Sequence, residues 1–143
     1  GSGGIEDMET YNSMPGIQKL LSDFLGGEMN QEKIEGLLKL FPYDSSIITD
    51  EMIEDRMQIL PLMNPQVLAS MKIPNLEDDL GKITHPMLVF WGMDDKFCPV
   101  SGASKIGQKC HDAQIILFSR CGHWVMIERE EIFNQTCIDF LNR

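Results

Sequence analysis

Cations are scarce in this chain. Its 143 residues hold 12 lysines and arginines against 22 aspartates and glutamates, a formal net charge of −10. A surface that grips phosphates needs clustered Lys and Arg, so this balance argues against nucleic acid as a partner. Long apolar runs are missing too. None approaches the roughly 20 residues that cross a bilayer, so no membrane partner is expected. No basic-then-apolar leader precedes a small-residue cleavage site. The four cysteines (Cys98, Cys110, Cys121, Cys137) never form a Cys-x-x-Cys pair, which speaks against zinc. Reduced thiols in a cytoplasmic protein are the expectation. The acidic residues are scattered, as in Glu6-Asp7, Asp50-Glu51 and Glu128 to Glu131; that pattern reads as solvated faces and helix N-termini.

What is present falls into two parts. In residues 15–72 the apolar positions follow helical spacing. Ile17, Leu20, Leu21 and Phe24 form one stripe stopped by Gly26-Gly27, and Ile34, Leu37, Leu38 and Phe41 form a second after Asn30, ended by Pro42. Thr49 caps a third, with Asp50 and Glu51 in its first turn and Met52, Ile53, Met57 and Leu60 on its apolar face before Pro61. Asn64-Pro65 marks the cap and first turn of a fourth. From about Asp79 the pattern changes. "HPMLVFWG" (85–92) and "QIILFS" (114–119) are short continuous apolar runs, as in strands buried on both faces. A helical stretch at 101–109 separates them, and a stripe of Ile132, Phe133, Cys137, Phe140 and Leu141 predicts a closing helix over 128–142. Strand, helix, strand, helix is the signature of a parallel sheet covered by helices, an α/β fold. Two strands give no sheet with a core of its own. The chain therefore reads as the closing edge of a larger sheet, incomplete without an upstream half.

In open α/β sheets the functional residues gather beyond the carboxyl ends of the strands. The first run is followed there by "GMDDKFCP", the second by "RCGHWV". An acid after one strand and a histidine after the next make an orienting carboxylate and a general base. Taken alone, a Gly-x-x-Asp turn is ordinary turn chemistry and a loop histidine is ordinary structure; the order and placement of the two favour catalysis. His85 and His111 precede strands, at the wrong end of the sheet, and read as surface residues.

Gly92-x-x-Asp95 followed by Cys121-Gly122-His123-Trp124 resembles the carboxyl-terminal half of the α/β-hydrolase fold. The resemblance is specifically to the meta-cleavage product hydrolases, which break a carbon–carbon bond in ring-fission products of aromatic catabolism. It implies a helical lid over residues 1–78, opened by Gly3-Gly4 and carrying "YDSSIIT" (43–49), and a core segment over 79–143. It further implies Asp95 and His123 as catalytic acid and base, with Asp94 left as a turn residue. Phe97 and Trp124 would line the pocket, and Arg56 would grip the dienoate end of the substrate. From the residues alone, Arg56 reads equally as a stem covering apolar surface or as a partner of Glu54 or Asp55; a fork for a carboxylate or enolate oxygen is the functional reading.

A hydrolase of this kind also needs a serine on a Gly-x-Ser-x-Gly elbow ahead of the acid and base. None occurs here. "GASKIG" (102–107) is one residue too long and follows Asp95, so Ser104 is expected on a helix surface. The expectation is a serine hydrolase acting on a 2-hydroxy-6-oxo-dienoate, inactive as these residues alone and completed by an upstream half. No metal and no organic cofactor is expected; the partners are a small-molecule substrate, the upstream half and a possible second copy. An esterase or dehalogenase of the same fold, or a non-catalytic binding protein, stays open as an alternative.

Overall fold

The computed structural model describes residues 1–25, 27–62 and 73–143. Helices α1 (Met8–Ser13), α2 (Pro15–Leu25), α3 (Gln31–Leu38) and α4 (Asp50–Ile59) come first. Strand β1 (Met87–Gly92), helix α5 (Ser101–Lys109), strand β2 (Ala113–Phe118), the single turn α6 (Val125–Glu128) and helix α7 (Glu130–Leu141) follow. The two strands pair in parallel, from Met87 opposite Ala113 to Gly92 opposite Phe118. A parallel pair needs a crossover, and α5 supplies it. The fourth helix expected from Asn64-Pro65 lies outside the described residues.

The caps read from the sequence are present. Asn30 Oδ1 accepts from Lys33 N–H at 2.9 Å and Thr49 Oγ1 from Met52 N–H at 3.2 Å. Other boundaries differ. Helix α3 stops at Leu38, where Leu40 and Phe41 N–H groups turn to the carbonyls of Leu37 and Leu38, so Phe41 leaves the helix that its spacing predicted. Helix α4 ends at Ile59, just short of Pro61, and Leu60–Leu62 follow as a 3₁₀ turn. The single helix expected over 128–142 is broken at Arg129, which separates α6 from α7.

One core surrounds Trp91, 1% exposed, and gathers Ile5, Tyr11, Leu37, Leu80, Phe97, Ala103 and Ile106. Helix α5 lies close enough to β1 that a Cβ on Gly102 would meet the Trp91 ring at 2.8 Å. A second cluster of Ile34, Leu38 and Ile53 joins α3 to α4 and extends to Phe41 and Trp124.

Glu6 corrects the reading of the acidic residues as solvated. It is 7% exposed, and its carboxylate accepts from Ser101 Oγ at 2.6 Å and Lys105 Nζ at 2.5 Å. Lys105 also reaches Glu77 at 2.8 Å. A buried carboxylate persists only when paired in this way. The network ties the amino-terminal turn to α5.

No described helix is long and apolar enough to cross a membrane. Among the described residues the outer edge of β1 is unpaired. A cavity of about 480 Å³ opens beside it, lined by Ile5, Leu80, Ile83, Val89 and Trp91 among others.

Candidate active site

The carboxyl ends of β1 and β2 are drawn together by backbone bonds. Met93 N–H donates to Phe118 O at 2.9 Å and Asp94 N–H to Cys121 O at 3.0 Å. The approach depends on Gly92. A Cβ there would stand 2.0 Å from Gly122 O and 2.3 Å from Cys121 O.

The turn after β1 buries Asp95 and leaves Asp94 exposed. Asp95 Oδ1 accepts from the N–H groups of Phe97 at 2.8 Å and Cys98 at 2.9 Å. Its Oδ2 lies 2.8 Å from His123 Nδ1 and 3.3 Å from the Gly1 nitrogen. Burial alone would raise the Asp95 carboxyl. The hydrogen bond and charge of His123, with the Cys98 and Phe97 N–H groups, outweigh it and hold the group below its ordinary value. Asp95 is therefore a fixed, ionised acceptor. It holds the imidazole by one nitrogen, and Nε2 has no hydrogen bond among the described residues, which leaves it available for proton transfer.

His123 follows a tight turn in which Arg120 has φ +53. Arg129 braces that turn, donating to Ser119 O at 3.1 Å and Arg120 O at 2.7 Å. The histidine backbone is tied to the helical part of the chain as well, with His123 N–H donating to Phe41 O at 2.7 Å.

Two residues at this site escaped the sequence reading. Phe41 lies between Phe97, with ring centroids 4.2 Å apart and planes at 17°, and Trp124, at 4.8 Å and 15°. His123 is tilted against Phe41 and Phe97 at 5.6 and 5.3 Å. The signal available was an aromatic residue directly before Pro42, next to the lid stretch. Glu128, read as part of a solvated run, is half-buried. One of its oxygens accepts from Gly122 N–H at 2.8 Å and the other from Tyr43 N–H at 2.8 Å. No local sequence signal marks that role.

Glu128 thus clamps the loop before His123 to residues 41–43. Glutamine in its place presents one acceptor oxygen to two N–H groups, which leaves the exposed Tyr43 N–H to water and loses a bond of about 0.5–1.5 kcal/mol. Glu128→Gln is expected to lower Tm by on the order of 5 °C in thermal unfolding. An unchanged Tm removes the clamp.

Arg56 lies exposed on α4. Its side chain makes no ion pair or hydrogen bond among the described residues, so neither Glu54 nor Asp55 holds it. With Leu38, Met52, Asp55 and Trp124 it lines a cavity of about 190 Å³. The structure thus brings together Asp95, His123 and Phe97, with Trp124 joined through Phe41 and Arg56 joined through the shared cavity. His85, His111 and Ser104 are exposed and apart.

The model of the alpha/beta hydrolase fold family matches residues 6–130. The chain belongs to that family. Among its relatives, the 2-hydroxy-6-oxo-6-phenylhexa-2,4-dienoate hydrolase of Burkholderia cepacia is 35% identical over 99% of this chain and 52% of its own length. The 2-hydroxy-6-oxononadienedioate/2-hydroxy-6-oxononatrienedioate hydrolase of Comamonas testosteroni is 34% identical over the same shares. The meta-cleavage product hydrolase of Pseudomonas fluorescens IP01 superposes with a TM-score of 0.76 at 24% identity, over 98% of this chain and 53% of its own. The chain spans about half the length of the curated relatives it matches.

Proposed function

We propose that the chain forms the lid (1–78) and the last two core strands (79–143) of a serine-type hydrolase. Its reaction would cleave a carbon–carbon bond in a 2-hydroxy-6-oxo-dienoate, giving a 2-hydroxydienoate and a carboxylic acid. The observation that carries this reading is the 2.8 Å Asp95–His123 pair at the strand ends. The names borne by the relatives supply the substrate class. Within this scheme His123 shuttles protons between serine, substrate and water, and Asp95 orients it. Phe97 and Trp124 would shape the apolar wall of the substrate pocket, with Phe41 stacked between them. No Gly-x-Ser-x-Gly occurs among the 143 residues, so the serine comes from a partner half, together with the oxyanion donors. The remaining partner is the small-molecule substrate, and the site of action is cytoplasmic.

Arg56 separates a carbon–carbon hydrolase from an esterase on the same fold. A dienoate carries a carboxylate and a neighbouring enol oxygen, and a charge-assisted fork to such a group contributes about 1.5–3 kcal/mol. In the chain joined to a serine-bearing half, Arg56→Gln is expected to slow dienoate turnover roughly ten- to a hundredfold. Hydrolysis of a short neutral ester should be spared at unchanged Tm. Equal losses on both substrates with a lowered Tm would move the esterase reading ahead.

A further inference from the structure

A carboxylate oxygen of Asp95, the sulfur of Cys98 and a ring nitrogen of His123 lie within 4.8 Å of one another. Spacing along the chain hides this set, because Asp-x-x-Cys and a histidine 25 residues beyond Cys98 match no common metal motif. Zinc–ligand bonds of about 2.0–2.3 Å place tetrahedral donors roughly 3.3–3.8 Å apart, so closing the triangle asks for shifts of about an ångström. The carboxylate is suited to the task. Oδ1 is held by two backbone N–H groups, and Oδ2 faces the imidazole.

The sulfur is unusual among the buried cysteines. Cys110 Sγ lies 3.5 Å from Leu80 O and Cys121 Sγ 3.8 Å from Gly122 O. Cys98 Sγ has no hydrogen bond among the described residues. The His123 side chain is 24% exposed, against 1% for Asp95, which leaves a path for an ion from solvent.

We propose that Asp95, Cys98 and His123 capture a thiophilic divalent cation of the zinc class, with water as fourth ligand. Carboxylate and thiolate together balance its two charges once the ion displaces the Gly1 ammonium, 3.3 Å from Asp95 Oδ2. The thiol proton passes to buffer as the sulfur–metal bond forms, and nothing is oxidised or reduced. Hard cations such as Mg²⁺ find too few oxygens here. Capture removes His123 from proton transfer, so the ion would act as an inhibitor. The binding itself does not rest on the proposed reaction.

The test is a titration of the purified chain with Co²⁺, followed by absorption. One ion per chain should give a thiolate-to-cobalt charge-transfer band with the intense visible bands of four-coordination, all erased by excess Zn²⁺ and untouched by Mg²⁺. Cys98→Ser should abolish the charge-transfer band and weaken Zn²⁺ binding at least a hundredfold, with an unchanged far-ultraviolet dichroism spectrum. His123→Gln should weaken binding by a similar factor, while Cys137→Ser and acetylation of the amino terminus should change neither. A band that survives Cys98→Ser overturns the proposal, as does one lost on Cys137→Ser or on acetylation, or the absence of any band. If Cys98→Ser misfolds, His123→Gln decides: undiminished binding there also overturns it.

Discussion

Replacing Asp95 by asparagine in the chain joined to the serine-bearing half proposed for it is expected to lower kcat by about 10⁴-fold, the cost of a wrongly held histidine tautomer in serine proteases. The amide keeps the shape of the turn, and its oxygen can still accept from the Phe97 and Cys98 N–H groups that now meet Oδ1. Its NH₂ would then face His123 Nδ1 as a donor, where the carboxylate is an acceptor. The imidazole must turn its lone pair to that donor and place its proton on Nε2, where the base needs to be free. Asp94→Asn touches nothing comparable, since that side chain is exposed and only its backbone joins the Cys121 carbonyl. Steady-state kinetics on the two variants check the assignment. Comparable losses from both, or a larger one from Asp94→Asn, would remove Asp95 from the orienting role.

The second large effect is steric. Gly92→Ala places a methyl group 2.0 Å from the Gly122 carbonyl oxygen and 2.3 Å from that of Cys121. These are backbone atoms, and no side-chain rotation relieves the contact. The Cys121-Gly122 turn is fixed in its own right by Glu128 and by the Asp94 N–H. Either the strand ends part or the histidine loop lifts. A destabilisation on the order of 3 kcal/mol, at the upper end of overpacking effects, should lower Tm by on the order of 10 °C. Gly81→Ala is the control, since its added Cβ meets only the Lys109 carbonyl oxygen at 3.7 Å. Thermal unfolding followed by circular dichroism separates the two. A Gly92→Ala protein as stable as the control would mean that the strand ends are not held in this approach.

Where signals were local, the sequence reading and the structure agree closely. Continuous apolar runs placed both strands within two residues of their observed ends. The expected burial on both faces is not met: only Trp91 and Gly92 of β1 are buried, and β2 is half-buried with Leu117 exposed, because the described residues cover the pair incompletely. Side-chain oxygens at Asn30 and Thr49 marked helix starts, since a cap bonds to an N–H only three residues on. Asp95 and His123 could be named as a pair because a parallel sheet puts both strand ends on one rim.

Long-range partners were illegible. Glu128 looks like one acid in a charged run, and its role depends on Tyr43, 85 positions away. Glu6 likewise needs Ser101 and Lys105 before its burial makes sense. Phe41 satisfied a helical period that the backbone abandons after Leu38, so its place in the aromatic stack could not be read from spacing. Asp95 and His123 were legible as a pair, yet nothing in the sequence says that the Cys98 sulfur shares their corner.

The two tryptophans divide the molecule optically. Trp91 is sealed in the core, with its Nε1–H donating to Cys98 O at 3.1 Å. Trp124 is half-buried, stacked on Phe41 and bordering the Arg56 cavity. A ligand entering that cavity meets one indole and leaves the other in place. Intrinsic fluorescence therefore carries two separate reports, a quenchable signal from Trp124 on occupancy and a blue-shifted one from Trp91 on whether the chain is folded. No label has to be attached to read either.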